Sequence, residues 1–281
     1  MSDLPQIQYE DTVRDALRED IGAGDITTTL CIAEDAQATA TLLAKSPGLV
    51  CGLDVAALAF RLLDPGCVWT PALADGAQVG NKPTPLATVT GHARALLTAE
   101  RVALNFAQHM SGVATLTARY VARIAGTKAR IVDTRKTTPG LRALEKYAVR
   151  VGGGFNHRLG LYDAVLIKDN HIRAAGGIGR ALTLARSGAP HTMKLEVEAT
   201  TLPQVEQALA GGADIILLDN MDLSTMRQAV KMIGSRALSE ASGGLTEERV
   251  AEVAATGVDI LSVGALTHSA PALDISLDFA P

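Results

Sequence analysis

Aromatic residues make up only 3% of this 281-residue chain, and cysteine occurs three times. Cys31, Cys51 and Cys67 are scattered, with no CxxC pair and no histidine at ligand spacing. That excludes a disulfide framework and a zinc site, and fits reduced thiols in a cytoplasmic protein. Long hydrophobic runs are missing too: none reaches the ~18 residues a membrane span needs. The opening MSDLPQIQYED has no basic stretch followed by an apolar one, so no signal peptide is expected. Nor is there an excess of positive charge. The chain carries 26 Lys and Arg against 30 Asp and Glu, a net charge of −4. A protein that coats nucleic acid or an anionic membrane usually has a broad basic face. A local cluster of cations remains possible.

What is abundant is small and aliphatic. Hydrophobic residues make up 47% of the chain and charged ones 20%, as in α/β proteins whose helices pack closely on sheets. The first hundred residues read as a mixed α+β piece. Asp11 or Thr12 can cap a helix carrying Val13, Ala16 and Leu17, GAGDITT reads as a loop, and ATATLLAK (38–45) as a strand. DVAALAFRLL (54–63) reads as a helix stopped by Asp64, Pro65 and Gly66, followed by short strands near 77–79 and 86–90. From Leu97 a helical pattern runs to about Gly126, with Gly112 as a candidate break.

A rhythm of β-rich run, polar loop and amphipathic helix then sets in. The runs are ARIVD (129–133), DAVLIK (163–168), MKLEVE (193–198), DIILLD (214–219), RALSE (236–240) and DILSVG (259–264). Such alternation implies parallel strands with right-handed crossovers. Every run ends on polar or charged residues, or on glycine. In an α/β barrel those ends meet on one face, whereas an open sheet spreads them along an edge. Convergence favours the barrel.

Three constellations carry chemistry. DTRKTTPGLR (133–142) and GGGFNHRLG (152–160) supply Arg135, Lys136, His157 and Arg158 in loops. Several basic groups aimed at one pocket point to a multiply anionic ligand. Arg142, Lys146 and Arg150, on the helix between, read as a solvated face. Glu196, Glu198, Asp219 and Asp169 form an acidic set. Glu196 and Glu198 share one side of a strand, and either ion pairs with Lys168 or Lys194 or a Mg²⁺ site beside ribose hydroxyls would account for them. Ser242-Gly243-Gly244 before a helix expected at Thr246, and Gly264 one strand later, offer backbone amides to a phosphate. His92, His109, His191 and His268 read as structural. GDITT (24–28) is either a flap over the site or a plain turn.

Together GDITT, AERVALN (99–105), DTRKTTPGLR, GGGFNHRLGLYDAVLIKDNH, LEVE, LLDN, EASGG and VGALTH resemble the quinolinate phosphoribosyltransferase family over nearly the whole chain. The resemblance implies an N-terminal α+β sandwich-like domain (1–110), a TIM-like α/β barrel of parallel strands (111–272) and a C-terminal return to the first domain (273–281). It implies transfer of phosphoribose from phosphoribosyl pyrophosphate (PRPP) to quinolinate with decarboxylation, Mg²⁺ as cofactor, and a homodimer in which Arg101 enters the neighbouring site. By the same resemblance Thr134, Arg135, Lys136, His157, Arg158 and Lys168 line the substrate pocket. Glu198 and Asp219 flank ribose and metal, and Ser242, Gly243, Gly244, Val263, Gly264 and Ala265 hold the 5-phosphate. Lys136, Lys168, Glu198 and Asp219 are the catalytic candidates. Competing readings are a relative acting on nicotinate, a barrel lyase using Lys136 or Lys168 as a Schiff-base nucleophile, and a non-catalytic sugar-phosphate binder.

Overall fold

The computed structural model describes residues 4–280, so the first three residues of the polar start and Pro281 of the closing segment lie outside the described residues. In chain order come helices α1 (Glu10–Ile21) and α2 (Ile26–Cys31), strands β1 (Gln37–Ala44) and β2 (Gly48–Leu49), and helix α3 (Leu53–Leu63). Strands β3 (Val68–Pro71), β4 (Gln78–Val79) and β5 (Thr84–His92) lead into the 31-residue helix α4 (Ala93–Arg123). Next are β6 (Arg130–Val132), α5 (Arg142–Val151), β7 (Val165–Ile167), α6 (Asp169–Ala175), α7 (Ile178–Gly188), β8 (Leu195–Ala199) and α8 (Leu202–Ala210). The last are β9 (Ile215–Asp219), α9 (Leu223–Ile233), β10 (Leu238–Ser242), α10 (Val250–Ala254), β11 (Ile260–Ser262), α11 (Ala265–His268) and β12 (Ile275–Phe279). The chain divides into two compact units. One comprises the residues up to Ala118, Thr137–Gly153 and those from Leu266 on; the other comprises Arg119–Lys136 and Gly154–Ala265.

The first unit is built on a four-stranded antiparallel sheet in the order β12-β1-β5-β3. In β1 the buried residues are Ala40, Leu42 and Ala44, one every second position, as a strand with one face on the core requires. Helix α3 buries Leu53 and everything from Val55 to Phe60. Its first amides are satisfied by the Asp75 carboxylate, which accepts from Gly52 N at 2.8 Å and Leu53 N at 3.1 Å. Three expectations change here. Helix α1 starts at Glu10 after Tyr9 with no side-chain cap, so neither Asp11 nor Thr12 caps it. GAGDITT is only partly a loop, because Asp25 caps α2 by accepting from Thr28 N at 2.9 Å. The α5 face is not solvated: Lys146 and Glu145 are fully buried, and only Arg142 and Arg150 keep partial exposure. Cys51 and Cys67 are buried free thiols and Cys31 an exposed one.

Helix α4 runs through Gly112 without a break. That glycine serves close packing instead: a Cβ there would stand 2.2 Å from the Pro271 carbonyl oxygen.

The second unit holds a six-stranded parallel sheet in the order β6-β11-β10-β9-β8-β7. From β7 to β11 each strand is added beside its predecessor, in one direction. Right-handed crossovers that never reverse put all their helices on one face, so the other face is buried only if the sheet curls on itself. β6 completes the curl by pairing with β11, the last of the series. The β6 side facing β7 carries a single parallel bridge, Val132 to Phe155, in place of a full strand pair. This is the barrel order expected from converging strand ends. Its register sets four last residues side by side: Val132 opposite Ser262, Ser262 opposite Ser242, and Ser242 opposite Asp219.

Replacing Gly112 with alanine should destabilise the protein by about 1–3 kcal/mol through overpacking against Pro271, even though alanine favours helix by up to ~1 kcal/mol. A melting temperature equal to or above that of the wild type would show that the contact yields without cost.

Candidate active site

The cationic loops are assembled around one acid. Asp133, the first residue after β6, is fully buried. Its carboxylate accepts from Asn156 Nδ2 at 2.5 Å and from His157 N at 2.9 Å. Phe155, bridged to Val132, also receives the Arg130 guanidinium over its ring at 4.8 Å. The GGGFNHR segment is thereby strung along the end of β6.

That anchoring puts Arg135 and Arg158 in each other's field. Burial lowers the pKa of Arg158 and the Arg135 charge lowers it further, with Glu196 opposing. Arg158 Nη1 donates to the Ala164 carbonyl at 3.2 Å, while the Nε atoms of both arginines are buried without a hydrogen-bond partner among the described residues. Two half-buried guanidiniums with spare donors repel one another unless an anion joins them. Lys136, exposed, follows a turn closed by its own amide on Thr134 Oγ1 at 3.0 Å.

His157 is arranged differently from the free cation expected of it. Its Nδ1 accepts from Arg158 N at 2.7 Å, and its Nε2 lies 3.0 Å from Glu196 Oε2 and 3.6 Å from Glu240 Oε1. A backbone amide can only donate, so the ring carries its proton on Nε2, donates a hydrogen bond through it to Glu196 and is uncharged. The three donor atoms lie within 4.8 Å of one another, close enough for a cation. The ring proton held between Nε2 and Glu196 makes hydrogen bonding the chemistry of this triad. Glu240 is pushed up to about 7, first by burial and then by Glu196, while a hydrogen bond with Ser262 opposes the shift. Sequence reading placed Glu240 at a strand end and assigned it nothing; only the fold shows that it faces Glu196.

The acidic pair comes next. Ile167 pairs with Val197 and Glu198 with Leu217, so Lys168, Glu198 and Asp219 follow one another along the sheet. Burial raises the pKa of Glu198, as do Asp219 and Asp169, with Lys168 opposing. Partly buried carboxylates in each other's field, with hard oxygen donors and a lysine alongside, fit a Mg²⁺ ion. Lys194 takes no part, since it lies 3.5 Å from Asp214.

Ser242 ends β10, and Gly243 and Gly244 follow with φ of 97° and 57°. The helix expected at Thr246 starts four residues later, at Val250. The intervening turn is tied down by other groups: Tyr120 Oη donates to Leu245 O at 3.3 Å, and Glu247 pairs with Arg119 and Arg123. The loop's own amides, rather than a helix end, are therefore what it offers a phosphate. Val263 is buried and donates its amide to Val132 O at 2.9 Å, while Gly264 and Ala265, next to it, keep partial exposure. Arg101 belongs to the first unit. It is exposed and borders two clefts, one of about 340 Å³ with Gly24, Asp25 and Thr98, the other of about 450 Å³ with Glu19, Asn105 and His109. His109 is held by buried Glu145 at 2.9 Å.

The tips of these strands gather cations, carboxylates and loop amides, groups suited to acidic partners, to sugar hydroxyls and to phosphate. That is the chemistry of the pentosyltransferases. Residues 25–111 match the N-terminal domain of quinolinate phosphoribosyl transferase and residues 113–278 its C-terminal domain. The chain is 48% identical over 287 residues to the nicotinate-nucleotide pyrophosphorylase [carboxylating] of Mycobacterium leprae (strain TN), covering 99% of each sequence. It is 44% identical over 275 residues to the probable enzyme of that name from Bacillus subtilis (strain 168), covering 98% of this chain and 94% of that one. The crystal structure of NadC from Streptococcus pyogenes superposes with a TM-score of 0.94 at 42% identity, over 100% of both chains. This chain belongs to the quinolinate phosphoribosyltransferase family.

The raised Glu240 carboxyl has a consequence for stability. The folded state holds a proton between the ordinary value of 4.5 and about 7 that the unfolded chain releases. Stability therefore falls as pH rises through that window and levels off above it. Glu240→Gln keeps the shape and removes the proton, and should flatten the pH 5–8 stability profile by about 3 kcal/mol. Urea midpoints with the same slope in both proteins would refute the assignment.

Proposed function

We propose that the protein converts quinolinate and PRPP to nicotinate mononucleotide, pyrophosphate and carbon dioxide, a step of NAD biosynthesis. The observation that carries this reading is the pair of half-buried guanidiniums, Arg135 and Arg158, brought to the same strand ends as the Glu198–Asp219 acids. Quinolinate has two carboxylates to offer the first group, and PRPP has a ribose to offer the second.

In this reading Arg135 and Arg158 clamp the carboxylates of the pyridine, with Lys136 and Lys168 at the rim. Lys136 and Lys168 also neutralise the pyrophosphate as its bond to the ribose anomeric carbon breaks. Glu198 and Asp219 face the positive character that then develops on the sugar. Mg²⁺ held by these two residues would add neutralisation of the leaving group. The ring nitrogen supplies the electron pair for the new bond to the anomeric carbon, so no general base is needed. The resulting pyridinium charge stabilises the electron pair left on C2 when the 2-carboxylate departs as carbon dioxide, and a proton taken up from water at C2 completes the product. Ser242, Gly243, Gly244, Gly264 and Ala265 hold the 5-phosphate through backbone groups. His157 contributes by fixing Arg158 rather than by carrying charge. Catalysis then rests on orientation and fixed charge.

A homodimer in which Arg101 completes the neighbouring site, and residence in the cytoplasm, belong to the same proposal. The exposure of Arg101 beside two clefts supports the first. Free thiols support the second; among the described residues no helix is long and apolar enough to cross a membrane.

With PRPP and Mg²⁺, quinolinate should give nicotinate mononucleotide and carbon dioxide in equal amounts. Nicotinate, which leaves cationic donors unpaired, should turn over ~100-fold less efficiently or worse. Preference for nicotinate would reject the substrate assignment. Inactive Arg101→Ala and Arg158→Ala proteins, mixed under conditions of proven subunit exchange, should regain part of the wild-type rate. No recovery would dismiss the shared site.

A further inference from the structure

Asn220 has no part in the chemistry above, yet it stands where two halves of the site meet. It is the only non-glycine residue with positive φ among the described residues, at 53°. Asparagine tolerates this left-handed conformation better than most side chains, but a residue kept there needs its surroundings to hold it. Three contacts do so. Its backbone N donates to the Ser242 carbonyl at 2.9 Å. Its Nδ2 donates to Asp219 Oδ2 at 2.8 Å, which also fixes the amide's orientation, since a carboxylate accepts only from the nitrogen side. Its Oδ1 lies so near Gly243 that a Cβ on that glycine would stand 2.1 Å away.

We infer that Asn220 is a positioning residue that couples the acidic edge of the site to its phosphate loop: one short side chain orients the Asp219 carboxylate while its backbone and amide oxygen set the path of Ser242-Gly243. The inference rests on the proposed reaction, in which Asp219 serves ribose and metal and the glycine loop serves the 5-phosphate. Both parts act on PRPP and neither on the pyridine. Loss of Asn220 therefore weakens PRPP and Mg²⁺ together and leaves quinolinate almost untouched. The same geometry explains the glycine at 243. Its φ of 97° disfavours a side chain, and the Asn220 amide occupies the space a Cβ needs.

The test begins with wild-type turnover. If the wild type does not convert quinolinate and PRPP, the functional reading fails by itself, before any variant is compared. If it does, Asn220→Gly is the decisive variant, because glycine accepts the positive φ and removes only the side chain. It should melt within a few degrees of wild type, raise KM for PRPP and the Mg²⁺ concentration for half-maximal rate by about tenfold each, and leave KM for quinolinate within about twofold. Asn220→Asp, which sets a carboxylate against Asp219, should shift the Mg²⁺ requirement in the same direction. Gly243→Ala should be more damaging, and adding Asn220→Gly to it should cause little further loss because the clash is relieved. Unchanged PRPP and Mg²⁺ dependence in Asn220→Gly would reduce Asn220 to a turn residue, as would a fall in kcat with every KM unchanged. Strict multiplicativity of the Asn220 and Gly243 effects would overturn the coupling.

Discussion

The site depends on backbone register. Val132, Ser262, Ser242 and Asp219 end their strands in one hydrogen-bonded row, so the next residue of each chain segment leaves the sheet at the same level. Slipping any strand by one residue would exchange its two faces and turn its functional side chain away. Because the ladder fixes the level, the sequence is free to vary what is delivered there. Asp133 leaves β6, Asn220 leaves β9, Gly243 leaves β10 and Val263 leaves β11. Four unrelated residue types thus reach one level of the sheet without being near one another in the chain.

Beneath the cations lies a layer of buried acid, and burying carboxylates is costly without partners. Each acid has its own remedy. Asp133 accepts two hydrogen bonds from the loop that carries His157. Glu196 accepts a hydrogen bond from His157 Nε2. Glu240, facing both, keeps its own proton up to about 7. The first two remedies also do positional work, because each bond that satisfies an acid holds the segment leading to Arg158. Removing Asp133 or Glu196 would leave its donors unsatisfied and its loop free, so at these two acids stability and geometry cannot be altered separately.

Much of this was legible in the sequence, and the limits have physical causes. The barrel followed from six β-rich runs ending in polar groups, a pattern that local propensity and spacing carry directly. Strand lengths were less legible: ARIVD contains a strand of only three residues, and RALSE is extended to Ser242. Lys146 was read as solvated because charge on a helix face usually is, and its burial follows from tertiary packing that no spacing encodes. Gly112 looked like a helix break because glycine has low propensity, and the Pro271 carbonyl that requires it lies far away in sequence. The partner of His109 is Glu145, thirty-six residues on, a separation that spacing rules do not span. Asp25 is legible in the sequence, since an Asp three residues before a threonine amide is a familiar helix start.

The uncharged His157 alters how the pocket must be understood. A histidine beside two arginines reads naturally as a third cation, and a ligand with several negative groups seems to want one. Yet a charged ring would need protons on both nitrogens and would give up the Arg158 amide bond at Nδ1. It would also stand beside arginines that already repel each other. As an Nε2–H tautomer it instead joins an acid below to a backbone amide above, and both ring nitrogens are used in that bridge. Positive charge then comes from Arg135, Arg158 and the lysines. In the proposed reaction the charge for an anionic pyridine falls to these groups, and the histidine's contribution becomes direction rather than charge.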